Sequence, residues 1–433
     1  MRDAATLIQA PPNDTAPLVH LLAAYRAVRN QTERLCKPLE IEDYVIQSMP
    51  EASPVKWHLA HTTWFFETFV LKQAIPGYRW VNPSFEYLFN SYYESVGPRW
   101  SRPERGVLSR PTVRQVYDYR AWVDEQMADL LGCPESIASN EVAATIVLGL
   151  NHEQQHQELI LTDLKNAWAA NPLHPVYRPR IAGGGNAPAL SWLAFAEGVH
   201  WIGHNGNGFA FDNESPRHRV FLEAFQLANR LVTNGEYLAF MADGGYRRPE
   251  LWLSDGWAQT QARQWTAPLY WEQGDGNWYM VTLAGLRPVE PAEPVCHVSY
   301  YEADTFARWA GARLPTEAEW ETAAAGVPVE GHFADSGHFH PAAVPAPGER
   351  GPLYQMFGDV WQWTASPYMG YPGYEPFAGA LGEYNGKFMC NQLVLRGASC
   401  VTPRSHARRT YRNFFPPQAR WQFSGIRLAR NVP

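Results

Sequence analysis

Residues 171–190, NPLHPVYRPRIAGGGNAPAL, divide the chain into two parts that cannot share one architecture. Proline and glycine punctuate the stretch too densely for a helix or a strand, so it reads as a linker. Before it, apolar residues recur at helical spacing in four long segments. After it, short apolar runs alternate with turn signals. The 433 residues leave room for a domain on each side. The expectation is a multidomain α and α+β protein: a four-helix bundle over 1–170, the linker over 171–190, and an irregular α+β domain over 191–433.

The helix signals are local. The first helix is expected over Pro17 to Leu35, with Thr15 as its cap. The second has Ser53 as N-cap and Pro54 at N1, and runs through WHLAHTTWFFETFVL to Leu71. The third starts at Pro111-Thr112 and ends at Leu131, with Gly132 as the C′ residue. The fourth runs from Ser139 to Ala170 and stops before Pro172. In the second part, helices are expected in TNGEYLAFMADGG and SYYEADTFARWAGA, and Thr316 with Glu319 forms a capping box in RLPTEAEWE.

The fourth helix carries the chemistry. Within LGLNHEQQHQEL, residues 148–159, His152 and His156 stand at i and i+4, about 40° apart on one helix face. Thr145, Leu148 and Leu159 project on the same side, so both imidazoles face inward. Such a pair is a usual way for one helix to offer two ligands to a metal. The bland alternative is two hydrogen-bonded core histidines. The pair also spells H-E-x-x-H, with Glu153 in the general-base place of a zinc peptidase. The elongated forms of that motif fail, since Leu159 and Thr162 occupy the next Gly and His positions and the next glutamate is Glu197. A third ligand is therefore expected upstream. His61 shares a stripe with Trp57, Trp64 and Phe65 and points into the bundle, whereas His58 lies about 60° away and is the weaker candidate.

A long loop follows the second helix: NSYYESVGPRWSRPERGVLSR, with adjacent Tyr92 and Tyr93, then Arg99, Arg102, Arg105 and Arg110. Its prolines and aromatics argue for order, and loops this long are commonly functional. Guanidinium groups bind carboxylates bidentately, so the arginines read as carboxylate anchors. The alternative is a solvated basic loop.

A formal charge of −7 argues against a nucleic-acid or anionic-membrane partner. No run approaches the roughly 18 apolar residues of a membrane span, and MRDAATLIQAPPND lacks a signal-peptide core. Five scattered cysteines without C-x-x-C indicate neither a disulfide framework nor a zinc ribbon. The expectation is a cytoplasmic protein.

Several stretches carry a family resemblance. Residues 191–430 resemble a formylglycine-generating-enzyme (sulfatase-modifying factor) domain, a C-type-lectin-like fold, in FDNESPRHRV, VTNGEY, RLPTEAEWE, GDVWQW, LRGASC and GIRLAR. The first 170 residues resemble a DinB-like bundle, in LAH at 59–61 and HEQQHQEL at 152–159. In this order the two resemble the sulfoxide synthases of ergothioneine biosynthesis, non-haem iron enzymes that use O₂ to join cysteine sulfur to hercynine. The resemblance implies that His61, His152 and His156 hold Fe(II), that Gln155 and Asn413 contact hercynine, and that loops of the second domain roof the site.

Departures from the pattern are informative. The copper-binding cysteines of formylglycine-generating enzymes are replaced by Thr402 and Ala407, with Cys400 too early, so formylglycine is not the expected product. The actinobacterial synthases carry N-W-D-x3-R to grip the glutamyl part of γ-glutamylcysteine; here Asn413, Phe414, Phe415 and Ala419 stand in that stretch. Phenylalanine cannot compensate a free ammonium or carboxylate. Free cysteine is therefore the expected thiol donor, γ-glutamylcysteine being the other candidate. Arg102 and Arg105 are the expected carboxylate anchors, with Arg99 third. Tyr92 and Tyr93 are the expected proton donors, and Phe414 or Phe415 would receive hercynine's cationic head. Three other readings stand beside this one: a histidine–cysteine sulfoxide synthase of the ovothiol type, a zinc hydrolase on His152, Glu153 and His156, and a non-enzymatic binding protein, since lectin-like folds often only bind. A homo-oligomer stays open.

Overall fold

The protein is described from a computed structural model, over residues 16–133, 140–181, 185, 187–344 and 352–432. The expected cap Thr15 and helix start Ser139 lie outside these residues. The chain forms two compact units: one takes in the residues up to Ala170 with Asn205–Phe211 and Pro376–Asn385, the other Asn171–His204, Asp212–Glu375 and the chain from Gly386 onward.

The first unit is built on α1 (Ala16–Cys36), α2 (Val55–Phe66), α3 (Ser84–Phe89), α4 (Val113–Gly132) and α5 (Asn140–Ala169). α1 and α2 each pack against α4 and α5, the four-helix arrangement expected. All twelve residues of α2 are buried. A helix apolar or enclosed on every side has no single inward stripe, so the angular argument that favoured His61 over His58 does not apply here: both rings are inside. α2 continues as a π-helical turn over Glu67–Leu71. Its N-cap is Pro54, not Ser53. Ser53 is drawn into tertiary bonds instead, its N–H donating to Asp163 and its hydroxyl accepting from Arg105. Thr112 caps α4 with Gln115 in a reciprocal box, and Gly132 is the last helical residue rather than C′. The loop before α4 is more regular than expected, with α3 just ahead of it and a 3-10 turn over Arg102–Val107. Glu383, from the later segment of this unit, accepts the backbone N–H groups of Glu94 and Ser95, both at 3.0 Å.

The second unit holds small sheets. One has the order Asn413–Phe415, Leu393–Arg396, Trp361–Pro367, Ser424–Gly425, antiparallel except for the last pair. Another places Phe225–Ala228 between Trp192–Phe195 and Ala429–Asn431, so residues near both ends of the unit close one sheet. Helices form at Asn234–Ala242, Tyr300–Trp309 and Glu317–Ala323, each opened by a reciprocal capping box from Thr233, Ser299 and Thr316. A further helix, Ser254–Arg263, gave no clear signal in the sequence. Buried Arg396 and Arg412 are paired with Glu321 and Glu317, which offsets the desolvation of these guanidinium groups. No disulfide joins any of the five cysteines, and no helix among the described residues is long and apolar enough to cross a membrane.

Candidate metal centre

α5 carries His152 and His156 one turn apart, and α2 sets His61 against them. Nε2 of His152 lies 3.2 Å from Nε2 of His61 and 3.1 Å from Nε2 of His156. A nitrogen from each ring falls within 4.8 Å of the others, the only such group of three metal-ligating side chains among the described residues. His61 is stacked on two indoles of its own helix, Trp57 at 4.5 Å and Trp64 at 5.6 Å. Phe65 lies 4.8 Å from His152. The walls are apolar and aromatic, and they shield the cluster from water.

The proton inventory fits a cation. Nδ1 of His61 donates to the carbonyl of Phe89 at 2.6 Å, so a neutral His61 has a bare Nε2. Nδ1 of His156 is 2.8 Å from Nδ1 of His58, so its Nε2 also faces the cluster. Nδ1 of His152 is buried without a hydrogen-bond partner among the described residues. A proton on His152 Nε2 could satisfy only one neighbour at a time, whereas a divalent cation satisfies all three lone pairs. Burial first, and then the neighbouring imidazoles, hold His61 and His156 well below the ordinary histidine range. Burial pushes His152 down to about 4 against the opposing charge of Glu153. Neutral imidazoles are the ligand form.

Glu153 does not serve this cluster. Its carboxylate accepts from Thr32 and Arg120, both at 2.6 Å, and from Arg29 at 2.9 Å. Fully buried, it is opposed by desolvation, yet Arg120 and Arg29 bring it down to about 2. The general-base place in H-E-x-x-H is therefore occupied by a structural ion pair, and the hydrolase reading loses its base. Glu153→Gln is expected to lower unfolding free energy by about 3–5 kcal/mol, the usual effect of removing one partner from a buried pair. Because the folded pKa lies below the unfolded one, the wild-type advantage is complete above about pH 4.3 and fades as pH falls toward about 2. Urea titrations across that range check this; unchanged stability with lost catalysis would restore the general base.

The loop beyond α3 delivers the other polar groups. Arg105 is buried, stacked 3.3 Å from the centroid of Trp57, and donates to the hydroxyls of Ser53 at 2.9 Å and Ser91 at 3.0 Å. The same indole stacks on His61. No ion pair to a carboxylate is formed by Arg105 among the described residues, and burial, then Arg102, pushes it down to about 9. Arg102 donates to the hydroxyl of Tyr92 at 2.6 Å and to the Glu51 carbonyl. Arg99, more exposed, pairs with Glu94 at 3.1 Å. The Tyr92 ring meets Tyr384 edge-on at 5.7 Å. Tyr93 is buried against Phe69 and Trp64, at 5.0 and 5.8 Å, and burial raises its phenol so that the proton is kept.

Gln155 precedes His156 on α5 and is half-buried. Asn413, Phe414 and Phe415 belong to the second unit, on the strand paired with Leu393–Arg396. Phe414 stacks on Tyr368 at 4.0 Å, and Phe415 meets Trp421 edge-on at 5.7 Å. Arg408, Arg412 and Arg420, which flank this strand in sequence, pair with Glu214, Glu317 and Glu302. Two residues of the first unit escaped sequence reasoning: His58, discounted on angle, and Asp163. The signal for Asp163 was its i+7 spacing from His156, which returns to the same helix face.

Comparison with known proteins accounts for both units. A family model described as the DinB superfamily matches residues 24–160, and one described as a sulfatase-modifying factor enzyme 1-like domain matches 194–350 and 346–432. A hercynine oxygenase of Mycolicibacterium thermoresistibile is 34% identical over 93% of each chain. Hercynine oxygenases of Mycolicibacterium smegmatis and Mycobacterium tuberculosis are 32% and 34% identical, over 92% and 88% of this chain and 96% and 92% of theirs. Sharing a third of its residues along nearly the full length of such relatives, this chain belongs to the hercynine oxygenase family.

Proposed function

We propose that the protein joins hercynine to cysteine with O₂, forming a hercynylcysteine sulfoxide in ergothioneine biosynthesis. The observation that carries the reading is the likeness along 93% of the chain to a hercynine oxygenase. The buried trio of imidazoles agrees with it. The electrons balance without a further reductant: the thiol S–H and the imidazole C–H give two hydrogens, one oxygen atom goes to sulfur, and the other leaves as water.

His61, His152 and His156 are the residues that would hold Fe(II). When bound there, the metal supplies the one-electron chemistry that lets O₂ react with a thiol. The remaining work falls to the chain. Arg105 and Arg102 receive the cysteine carboxylate, because neither forms an ion pair of its own among the described residues. Arg99 is the weaker candidate, being paired with Glu94. Tyr92 Oη, held by Arg102, and Tyr93 Oη, kept protonated by burial, are the proton donors. Gln155, beside His156 on α5, contacts hercynine, and Asn413, Phe414 and Phe415 of the second unit are candidates for it by family likeness alone. The engaged arginines around Asn413 and the apolar Phe414, Phe415 and Ala419 favour cysteine over γ-glutamylcysteine. The cytoplasm supplies both substrates in reduced form.

Anaerobic loading with Fe(II), then O₂ with hercynine and cysteine, tests this. The expected product carries both substrates plus one oxygen atom, less two hydrogens. γ-Glutamylcysteine and histidine are expected to be poor replacements for cysteine and hercynine. Cysteine sulfinate as sole product would sink the substrate pair, and efficient use of histidine would favour the ovothiol-type reaction.

A further inference from the structure

Two buried side chains that this chemistry does not use stand in line behind His156. Nδ1 of His58 is 2.8 Å from Nδ1 of His156, and Nε2 of His58 is 3.1 Å from Oδ2 of Asp163. The same carboxylate oxygen accepts the backbone N–H of Ser53 at 2.8 Å. His58 comes from α2, while Asp163 lies two turns beyond His156 on α5. The row is buried throughout.

Hydrogen-bond chemistry gives the row a direction. A carboxylate only accepts, so His58 carries its proton on Nε2. Neutral His58 then offers a lone pair at Nδ1. The contact with His156 is satisfied only if His156 holds its own proton on Nδ1. That leaves Nε2 of His156 bare, facing Nε2 of His152 at 3.1 Å. With the row broken, nothing decides which nitrogen of His156 is protonated, and half of the choice spoils the ligand set. His61 is fixed the same way by a single acceptor, the Phe89 carbonyl.

We propose that Asp163 and His58 are positioning residues that set the tautomer and ring orientation of His156, and so the affinity of the histidine cluster for a divalent cation. This rests on the metal reading above. Partners of this kind typically contribute roughly 10–100-fold in metal affinity.

Co(II), titrated into full-length metal-free protein and followed by its visible spectrum under chelator competition, is the probe. His152→Ala is expected to abolish the signal. Asp163→Ala and His58→Phe are each expected to weaken binding by roughly 10–100-fold and to shift the Co(II) bands. The double variant is expected to bind no more weakly than His58→Phe, because both act through one chain of hydrogen bonds. Asp163→Asn, whose amide oxygen can still accept from His58, is expected to recover most of the loss. Melting curves of the metal-free forms separate this from a damaged fold. The relay is overturned if folded Asp163→Ala and His58→Phe bind Co(II) within about a factor of two of the parent, or if their effects simply add. Should Asp163→Ala not fold, equal affinity of His58→Phe and Asp163→Asn overturns it. Co(II) binding that ignores His152→Ala would instead sink the metal reading itself.

Discussion

Replacing His61 by alanine is expected to abolish both metal retention and oxygen consumption. Among the described residues one group of three imidazoles can meet a metal ion, and His61 is the one contributed by α2. Two ligands from a single turn of α5 leave the cation without a partner across the bundle. A catalytic metal is worth several kcal/mol in the rate-limiting barrier, so turnover is expected to fall at least about 10³-fold. Metal content after anaerobic loading and an oxygen electrode are the measurements. Because His61 is stacked on Trp57 and Trp64, the alanine variant also loses packing; His61→Gln, closer in volume, controls for that and is expected to be equally inactive. An active His61→Gln enzyme would mean that α5 alone carries the chemistry, as a site built on His152 and His156 without α2 would require.

Arg105→Met is expected to raise the KM for cysteine by roughly 30- to several-thousand-fold, the range that 2–5 kcal/mol for a truncated buried charge pair implies. Stability is expected to stay level or rise, by up to about 1–4 kcal/mol. The two effects have one cause. Arg105 is 4% exposed, and its guanidinium is met by two hydroxyls and an indole face, but by no carboxylate among the described residues. Its pKa falls to about 9, so the unfolded chain binds the proton more tightly than the folded one. Stability then rises with pH from about 9 to the ordinary arginine range, and at neutral pH the whole penalty is present. In the proposed role, an anionic substrate would remove that penalty, whereas methionine would remove it permanently and forfeit the substrate. Initial-rate kinetics and melting curves test both halves. An unchanged KM, or a marked loss of stability, would make Arg105 a structural residue. Arg99→Ala is expected to change little, since Arg99 is exposed and already neutralised by Glu94.

What could be read without a structure was what one segment fixes by itself. His152 and His156 share a face because helix geometry sets the angle between i and i+4. The capping box of Thr316 with Glu319 closes within three residues, and it formed; those at Thr112, Thr233 and Ser299, found in the structure, are equally local. The division into a helical part and a strand-rich part follows from period and punctuation alone. The motifs of the two families were likewise legible, since they are strings of neighbouring residues.

The rest was decided by packing between segments far apart in the chain. Glu153 stands in a general-base motif, yet its partners are Arg29 and Arg120, on α1 and α4. Ser53 had the local chemistry of a cap, but its hydroxyl accepts from Arg105, 52 residues later. His58 looked misplaced on a helix assumed to have one inward face, but α2 is enclosed on all sides, and its ring meets His156 across the bundle. The sequence ranked Arg102 and Arg105 ahead of Arg99 as anchors, but that Arg105 is buried while Arg99 is exposed and paired with Glu94 is a matter of packing. Local spacing is dictated by covalent geometry and the helical hydrogen-bond ladder, so sequence determines it. Which buried polar group meets which is dictated by desolvation: each must find a partner among whatever the fold brings near, and only the tertiary structure says what that is.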